Sequence, residues 1–174
     1  IDIVPLFETV TDLENAPKVM EQLYTNKAYK SHLKSRGNKQ TIMLGFSDGT
    51  KDGGYFMANW AIFKAKEALT AISNQYNIDV VFFDGRGGPP ARGGGKTHQF
   101  YASLGPTIQD REVQLTIQGQ EGKYYILHAQ HGDDFNWATS LTIGVDGTMI
   151  ISESSSAYTL DKYTITAHDI DNPD

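Results

Sequence analysis

Two carboxylates stand just beyond apolar, strand-like runs. Glu8 follows Val4–Phe7 in VPLFET, and Asp48 follows Met43–Phe46 in MLGFSDGTKDGG. If those runs are parallel neighbours, their ends share one edge of a sheet. Hard oxygen donors gathered there suit Mg²⁺ or Mn²⁺, which take few protein ligands and bridge to substrate phosphate. A carboxylate after a strand serves equally well as a helix cap or turn residue, so spacing alone leaves both readings open. Lys51 shares the Asp48 segment. It reads either as a compact point charge for a phosphate or carboxylate, or as a solvated lysine near a helix start. The densest signal is Asp84–Gly95, DGRGGPPARGGG, in which six of twelve residues are glycine. Arg86 and Arg92 are interleaved with those glycines, and Lys96 follows directly. Glycine lets successive backbone N–H groups turn toward an anion, and arginine adds a planar, bidentate fork. This is neither the GxxxxGK spacing of a P-loop nor GxGxxG. Contact with RNA is the competing reading of a basic, Gly-rich segment.

The remaining polar groups carry less information. His98 reads as a general acid or base, or as a cap. His128 and His131 with Asp133 and Asp134, in HAQHGDD, have the donor types for a divalent ion, although such clusters between strands are usually turns. Asp161 and His168 read as surface residues, and the methionines as packing.

The elements that position these groups follow from pattern. Asp2–Phe7 reads as a strand. Asn15-Ala16-Pro17 reads as a helix start, with Pro in the first turn. A second short helix is expected over Lys27–Lys34, stopped by Gly37-Asn38. Gln40–Phe46 is continuously apolar at its centre, as a strand buried on both faces would be. Ser47–Gly54 reads as a polar loop, followed by a helix to about Tyr76 whose apolar residues include Phe56, Ala58, Ile62, Ala65, Leu69 and Ile72. Ile78–Phe83 and Arg111–Gln118 complete the strands of this part, with a short helix expected over residues 97–104. The βα order predicts an α/β fold, a parallel sheet covered by helices, with loops at the C-terminal strand ends carrying the chemistry.

Beyond Gln120 the texture changes. Residues 1–120 hold 13 Lys or Arg against 12 Asp or Glu, whereas residues 121–174 hold 2 against 9. Strands are expected over Tyr124–Ala129, Ala138–Ile143, Thr148–Ser152 and Tyr163–Ala167, with a hairpin at Asp146-Gly147. The organisation read here is therefore a first part, 1–120, and an acidic antiparallel β meander, 121–174. The formal net charge of −6 argues against nucleic acid or an anionic membrane as partner. The absence of cysteine excludes disulfides, thiolate nucleophiles and Cys-ligated metals. No apolar run is long enough to span a membrane. The first residues lack both Met and the basic region of a signal peptide, which reads as a mature or excised start.

VPLFET, MLGFSDGTKDGG, NWAIFKAKEAL and FFDGRGGPPARGGG, in that order over about residues 3–120, resemble phosphoenolpyruvate carboxylase, closest to its bacterial branch. The resemblance implies a cytoplasmic enzyme with an elaborated TIM-type barrel, which makes the βα units of this chain partial TIM-barrel-like units. It converts phosphoenolpyruvate and bicarbonate to oxaloacetate and phosphate with Mg²⁺ or Mn²⁺, through carboxyphosphate and the enolate of pyruvate. By motif, Glu8 and Asp48 correspond to the metal carboxylates, Lys51 to a lysine near the substrate, and Arg86 and Arg92 to the arginines that hold anionic intermediates. Asp84 stands directly before GRGG, where many members have a His assigned to proton transfer or bicarbonate. Only a small part of the family's length is represented, and the tail does not share the resemblance. A part of a barrel exposes unpaired strand edges, which implies self-association, and catalysis by this chain alone is not expected. Two alternatives remain: a non-catalytic anion- or metal-binding module, and an interaction protein working through the aromatic residues of the acidic tail.

Overall fold

The computed structural model describes residues 1–85, 100, 103–109, 112–118, 124–130, 140–143, 149–152 and 165–169. The chain divides into two compact units, one made of Ile1–Gly85 with Pro106–Gln109 and the other of the remaining residues. In the first unit the order is β1 (Leu6–Phe7), α1 (Val10–Thr25), α2 (Lys27–Ser35), β2 (Lys39–Leu44), α3 (Phe46–Gln75) and β3 (Asp79–Asp84). β1 pairs with β2, and β2 with β3, both parallel. Helices thus alternate with parallel strands, an α/β arrangement consistent with part of a TIM-type barrel. Among the described residues no helix is long and apolar enough to cross a membrane.

β1 is shorter than the apolar run suggests. Pro5 has no N–H to give, so pairing begins where its carbonyl accepts from Met43 N–H at 2.9 Å, and Ile3 and Val4 are exposed. β2 alternates, with Gln40, Ile42 and Leu44 buried, while β3 buries Val80, Val81 and Phe82 in succession and then Asp84.

α1 is capped by Thr9, six residues before the expected Asn15. Thr9 accepts from Asp12 N–H while Asp12 accepts from Thr9 N–H, a reciprocal capping box. These bonds hold the exposed Asp12 carboxyl below the usual carboxylate range. Pro17 therefore lies inside the helix. Its missing hydrogen bond costs about 3 kcal/mol, against which Leu13, Ala16, Met20 and Tyr24 bury one continuous face. α2 ends as the sequence indicates, with Gly37 and Asn38 at positive φ (73° and 57°).

The expected loop over Ser47–Gly54 is instead the first two turns of α3. A change of direction comes only at Gly54, at φ 79°, a backbone state that favours glycine. From there Ala58, Ala61, Ile62, Ala65, Leu69, Thr70 and Ser73 form the buried stripe. Phe56 is 82% exposed and does not belong to it. Two residues before Ala58 is roughly 200° around the helix, the opposite side.

The second unit contains β4 (Glu112–Gln118), β5 (Tyr124–Gln130), β6 (Ser140–Ile143), β7 (Met149–Ser152) and β8 (Ile165–Asp169). β5 pairs antiparallel with β4 and with β8, and β6 pairs antiparallel with β7, Ile143 facing Met149. The expected turn at Asp146-Gly147 and most of the expected helix over 97–104 lie outside the described residues.

α1 packs against α3 through a buried hydrogen bond of 2.9 Å between the hydroxyls of Tyr24 and Ser73. Burial pushes the Tyr24 phenol up to about 12, with the Ser73 bond acting weakly in the opposite sense. A phenol raised above its ordinary value of 10 stabilises the fold fully below pH 10, and that contribution is lost as pH rises toward 12. Urea unfolding is expected to show a loss of roughly 2–3 kcal/mol over that window. In Tyr24→Phe this alkaline loss is expected to shrink, with a cost at neutral pH of about 1–2 kcal/mol from the stranded Ser73 hydroxyl.

Candidate active site

Parallel register brings three strand ends level. Phe7 pairs with Leu44 and Leu44 with Asp84, and Gly45 N–H donates to the Phe7 carbonyl at 2.8 Å. Glu8 follows at once and is half-buried between the end of β1 and the cap Thr9. A Cβ on Gly45 would lie 2.8 Å from Glu8 Cγ, and one on Gly49 would lie 3.2 Å from the Glu8 carbonyl oxygen. The β1–α1 turn therefore rests closely on the start of α3, where a side chain at position 45 would force a shift and one at position 49 would crowd the Glu8 carbonyl. Asp48 is in the first turn of α3, where the helix dipole favours a carboxylate. Its Oδ1 accepts from Lys51 Nζ at 2.7 Å, with side chains 45% and 77% exposed.

Glu8 and Asp48 are thus carried past the C-terminal ends of adjacent strands. Among the described residues no group of three or more His, Asp or Glu side chains could hold a metal. Mg²⁺ is commonly bound through only one or two protein carboxylates, with water and substrate oxygens completing the octahedron. Glu8 and Asp48 are donors of the chemical type such an ion takes.

Asp84 has a different setting. Its Oδ2 lies 2.7 Å from Lys66 Nζ, and the two side chains are only 3% and 1% exposed. Lys66 comes from the middle of α3, and its ammonium is 5.5 Å from the ring centroid of Phe82. Phe82 and Asp84, two apart on β3, share one face of the strand. The charge that Asp84 brings to this strand end is therefore met inside the protein by Lys66. Sequence reading overlooked Lys66, although the signal was present. It follows Ile62 by four residues and precedes Leu69 by three, so it falls on the buried stripe.

Arg86, Arg92, Lys96, His98, His131, Asp133, Asp134 and Asp161 lie outside the described residues. So does the expectation that the Gly-rich segment is mobile without ligand. His128 and His168 are on β5 and β8, facing Thr166 and Ile126 respectively.

Parallel strands covered by helices, with acidic groups at the C-terminal strand ends and a Gly- and Arg-rich segment after the third strand, define a class. It is that of α/β proteins with barrel-like units and their chemistry at the strand ends. Comparison with known sequences narrows the class. The phosphoenolpyruvate carboxylase family model matches residues 1–134. The chain is 44% identical over 120 residues to the phosphoenolpyruvate carboxylase of Rhodothermus marinus, covering 69% of this chain and 13% of that protein. It is 44% identical over 119 residues to that of Thermus sp. (strain 71), covering 68% and 14%. It is 37% identical over 132 residues to that of Corynebacterium diphtheriae, covering 76% and 14%. The chain belongs to the phosphoenolpyruvate carboxylase family, and it spans about one seventh of the length of these curated relatives.

The two ion pairs should differ in what they contribute. Removing one partner of a buried pair leaves an uncompensated charge, so Lys66→Met is expected to cost about 3–5 kcal/mol in chemical denaturation. Adding Asp84→Leu to it should restore most of that loss. Lys51→Ala, at an exposed pair, should change stability by less than about 1 kcal/mol. Equal effects at the two lysines would contradict this account.

Proposed function

We propose that this chain carries the metal-binding corner, and part of the anion-binding corner, of a phosphoenolpyruvate carboxylase. In this reading Glu8 and Asp48 hold Mg²⁺ or Mn²⁺. Lys51, Arg86 and Arg92 hold phosphoenolpyruvate, bicarbonate and the anions formed from them. The observation that carries the reading is the placement of Glu8 and Asp48 past the ends of adjacent parallel strands, with Glu8 seated against Gly45 and Gly49.

The reaction joins bicarbonate carbon to C3 of phosphoenolpyruvate and releases phosphate. Each participant is an anion, so the site must gather negative charge and stabilise more of it as an enolate forms. The cation supplies Lewis acidity and charge neutralisation at the phosphate and enolate oxygens. Lys51, which pairs with Asp48 at 2.7 Å on the exposed start of α3, would offer its ammonium to a substrate phosphate or carboxylate. The arginines offer bidentate contacts to phosphate or carboxylate. Asp84 reads here as half of a neutral pair with Lys66, so the carboxylate before GRGG adds no net charge beside anionic substrates.

We further propose that this chain alone does not turn over. Carboxyphosphate must be shielded from water, and the reactants must be held by donors converging from several directions. A chain covering 13% of the Rhodothermus relative supplies only some of them. In a coupled assay with phosphoenolpyruvate, bicarbonate and Mn²⁺, no oxaloacetate is expected from the isolated chain. Mn²⁺ should still bind and be weakened at least tenfold in Asp48→Asn. Bicarbonate-dependent oxaloacetate formation that disappears in both Asp48→Ala and Arg86→Ala would overturn the proposal of inactivity. A wild-type chain that takes up no Mn²⁺ would overturn the metal assignment.

A further inference from the structure

The start of α3 breaks a composition rule. Gly45 caps the helix, and Gly49 and Gly53 follow at intervals of four, so all three lie along one face. Glycine within a helix costs roughly 0.5–1 kcal/mol relative to alanine. Two such positions in two turns call for a compensating contact, and the same segment of chain supplies it each time. Gly45 approaches Glu8 Cγ and Cα, and Gly49 approaches the Glu8 carbonyl oxygen. A Cβ on Gly53 would stand 2.9 Å from Cγ2 of Val10. The turn Glu8-Thr9-Val10 therefore lies along a groove of backbone on α3.

One side chain closes that contact. Asp52 Oδ2 accepts from Val10 N–H at 3.1 Å, across 42 residues of sequence. Val10 is the first residue of α1, so its N–H is one of those the helix leaves without an internal partner. Thr9 and Asp12 already cap this terminus reciprocally. The Asp52 bond is therefore an additional link, and it ties the turn to α3 instead of to itself. It holds the segment that carries Glu8 against the helix that carries Asp48.

We propose that Asp52 is a positioning residue for the divalent cation, acting through Val10 to fix Glu8 on the glycine face of α3. Asp52 does not itself hold the ion. The inference rests on the metal reading of Glu8 and Asp48. Its chemical content is that the acceptor at position 52 matters and the charge there does not. Asparagine, whose Oδ1 also accepts from an N–H, should replace aspartate. Alanine should not.

The experiment titrates the 174-residue chain with Mn²⁺ and reads the free ion by electron paramagnetic resonance. Circular dichroism verifies the fold of each variant, and amide hydrogen exchange is followed at Val10 without metal. Asp52→Ala is expected to weaken Mn²⁺ binding at least tenfold and to speed exchange at Val10 by a similar factor. Asp52→Asn should stay within threefold of wild type in both. Gly49→Ala, which touches neither carboxylate, should weaken Mn²⁺ binding with Asp52 intact. Asp52→Ala binding Mn²⁺ within twofold of wild type overturns the inference and leaves the metal reading standing. Equal losses in Asp52→Asn and Asp52→Ala also overturn it, because they show charge acting in place of the hydrogen bond. A wild-type chain that binds no Mn²⁺ overturns the metal reading and with it the role assigned here, whatever exchange at Val10 shows.

Discussion

A lysine and an aspartate, both nearly inaccessible to water, face each other 2.7 Å apart where the long helix crosses the end of the third strand. Each charge alone would be expensive to remove from water. Together they fix the register of α3 against β3, because the ammonium must arrive where the carboxylate ends. An apolar contact tolerates sliding by a fraction of a turn far better than a charge-assisted hydrogen bond does. Such a pair is weak as a source of net stability and strong as a constraint on alternatives. β3 is in turn paired residue by residue with β2, and β2 with β1. The three strand ends are level because these links agree.

The same logic runs through the beginning of α3. Three glycines in a polar segment resemble a loop when judged by propensity, which counts them as helix breakers. Their spacing of four carries a different message that propensity does not contain. On a helix they become one bare face, and Glu8 and Val10 lie against it. The structure resolves the conflict in favour of close packing. The one glycine that does change the chain's direction, Gly54, differs from its neighbours only in conformation, at φ 79°.

What was legible in the sequence followed from strong, local signals. β2, β3 and α2 come from apolar runs and a Gly-Asn stop, and each appears within two residues of its expected ends. The βα order gave the parallel pairing. Pro17 suggests a first-turn residue and so a start at Asn15, whereas α1 begins at Val10. The true signal was Thr9 with Asp12 three residues later, a capping box with Asp in place of the commoner Glu. Tertiary burial of Leu13, Ala16, Met20 and Tyr24 then carries the helix through Pro17. Of the site, Glu8, Asp48 and Asp84 could be found because each ends an apolar run. The place of Lys66 on the buried stripe was legible, but its partner and that of Asp52 were not, since they lie 18 and 42 residues away.

Family membership sharpens one chemical question. Asp84 stands directly before GRGG, where the resemblance leads one to expect a His, a side chain that takes up or gives a proton near neutral pH. An Asp at that position, taken alone, would repel the anions this chemistry gathers. Lys66 changes the balance. At contact distance the pair presents a dipole instead of a charge, and the field of a dipole falls off faster than that of an ion. A nearby anion is then repelled far less than by a bare carboxylate. A carboxylate buried against an ammonium is also held to that one partner, so its position is set by the lysine and not by solvent. Lys66 and Asp84 therefore have to be substituted together, and never singly, because removing either one strands the other's charge inside the protein.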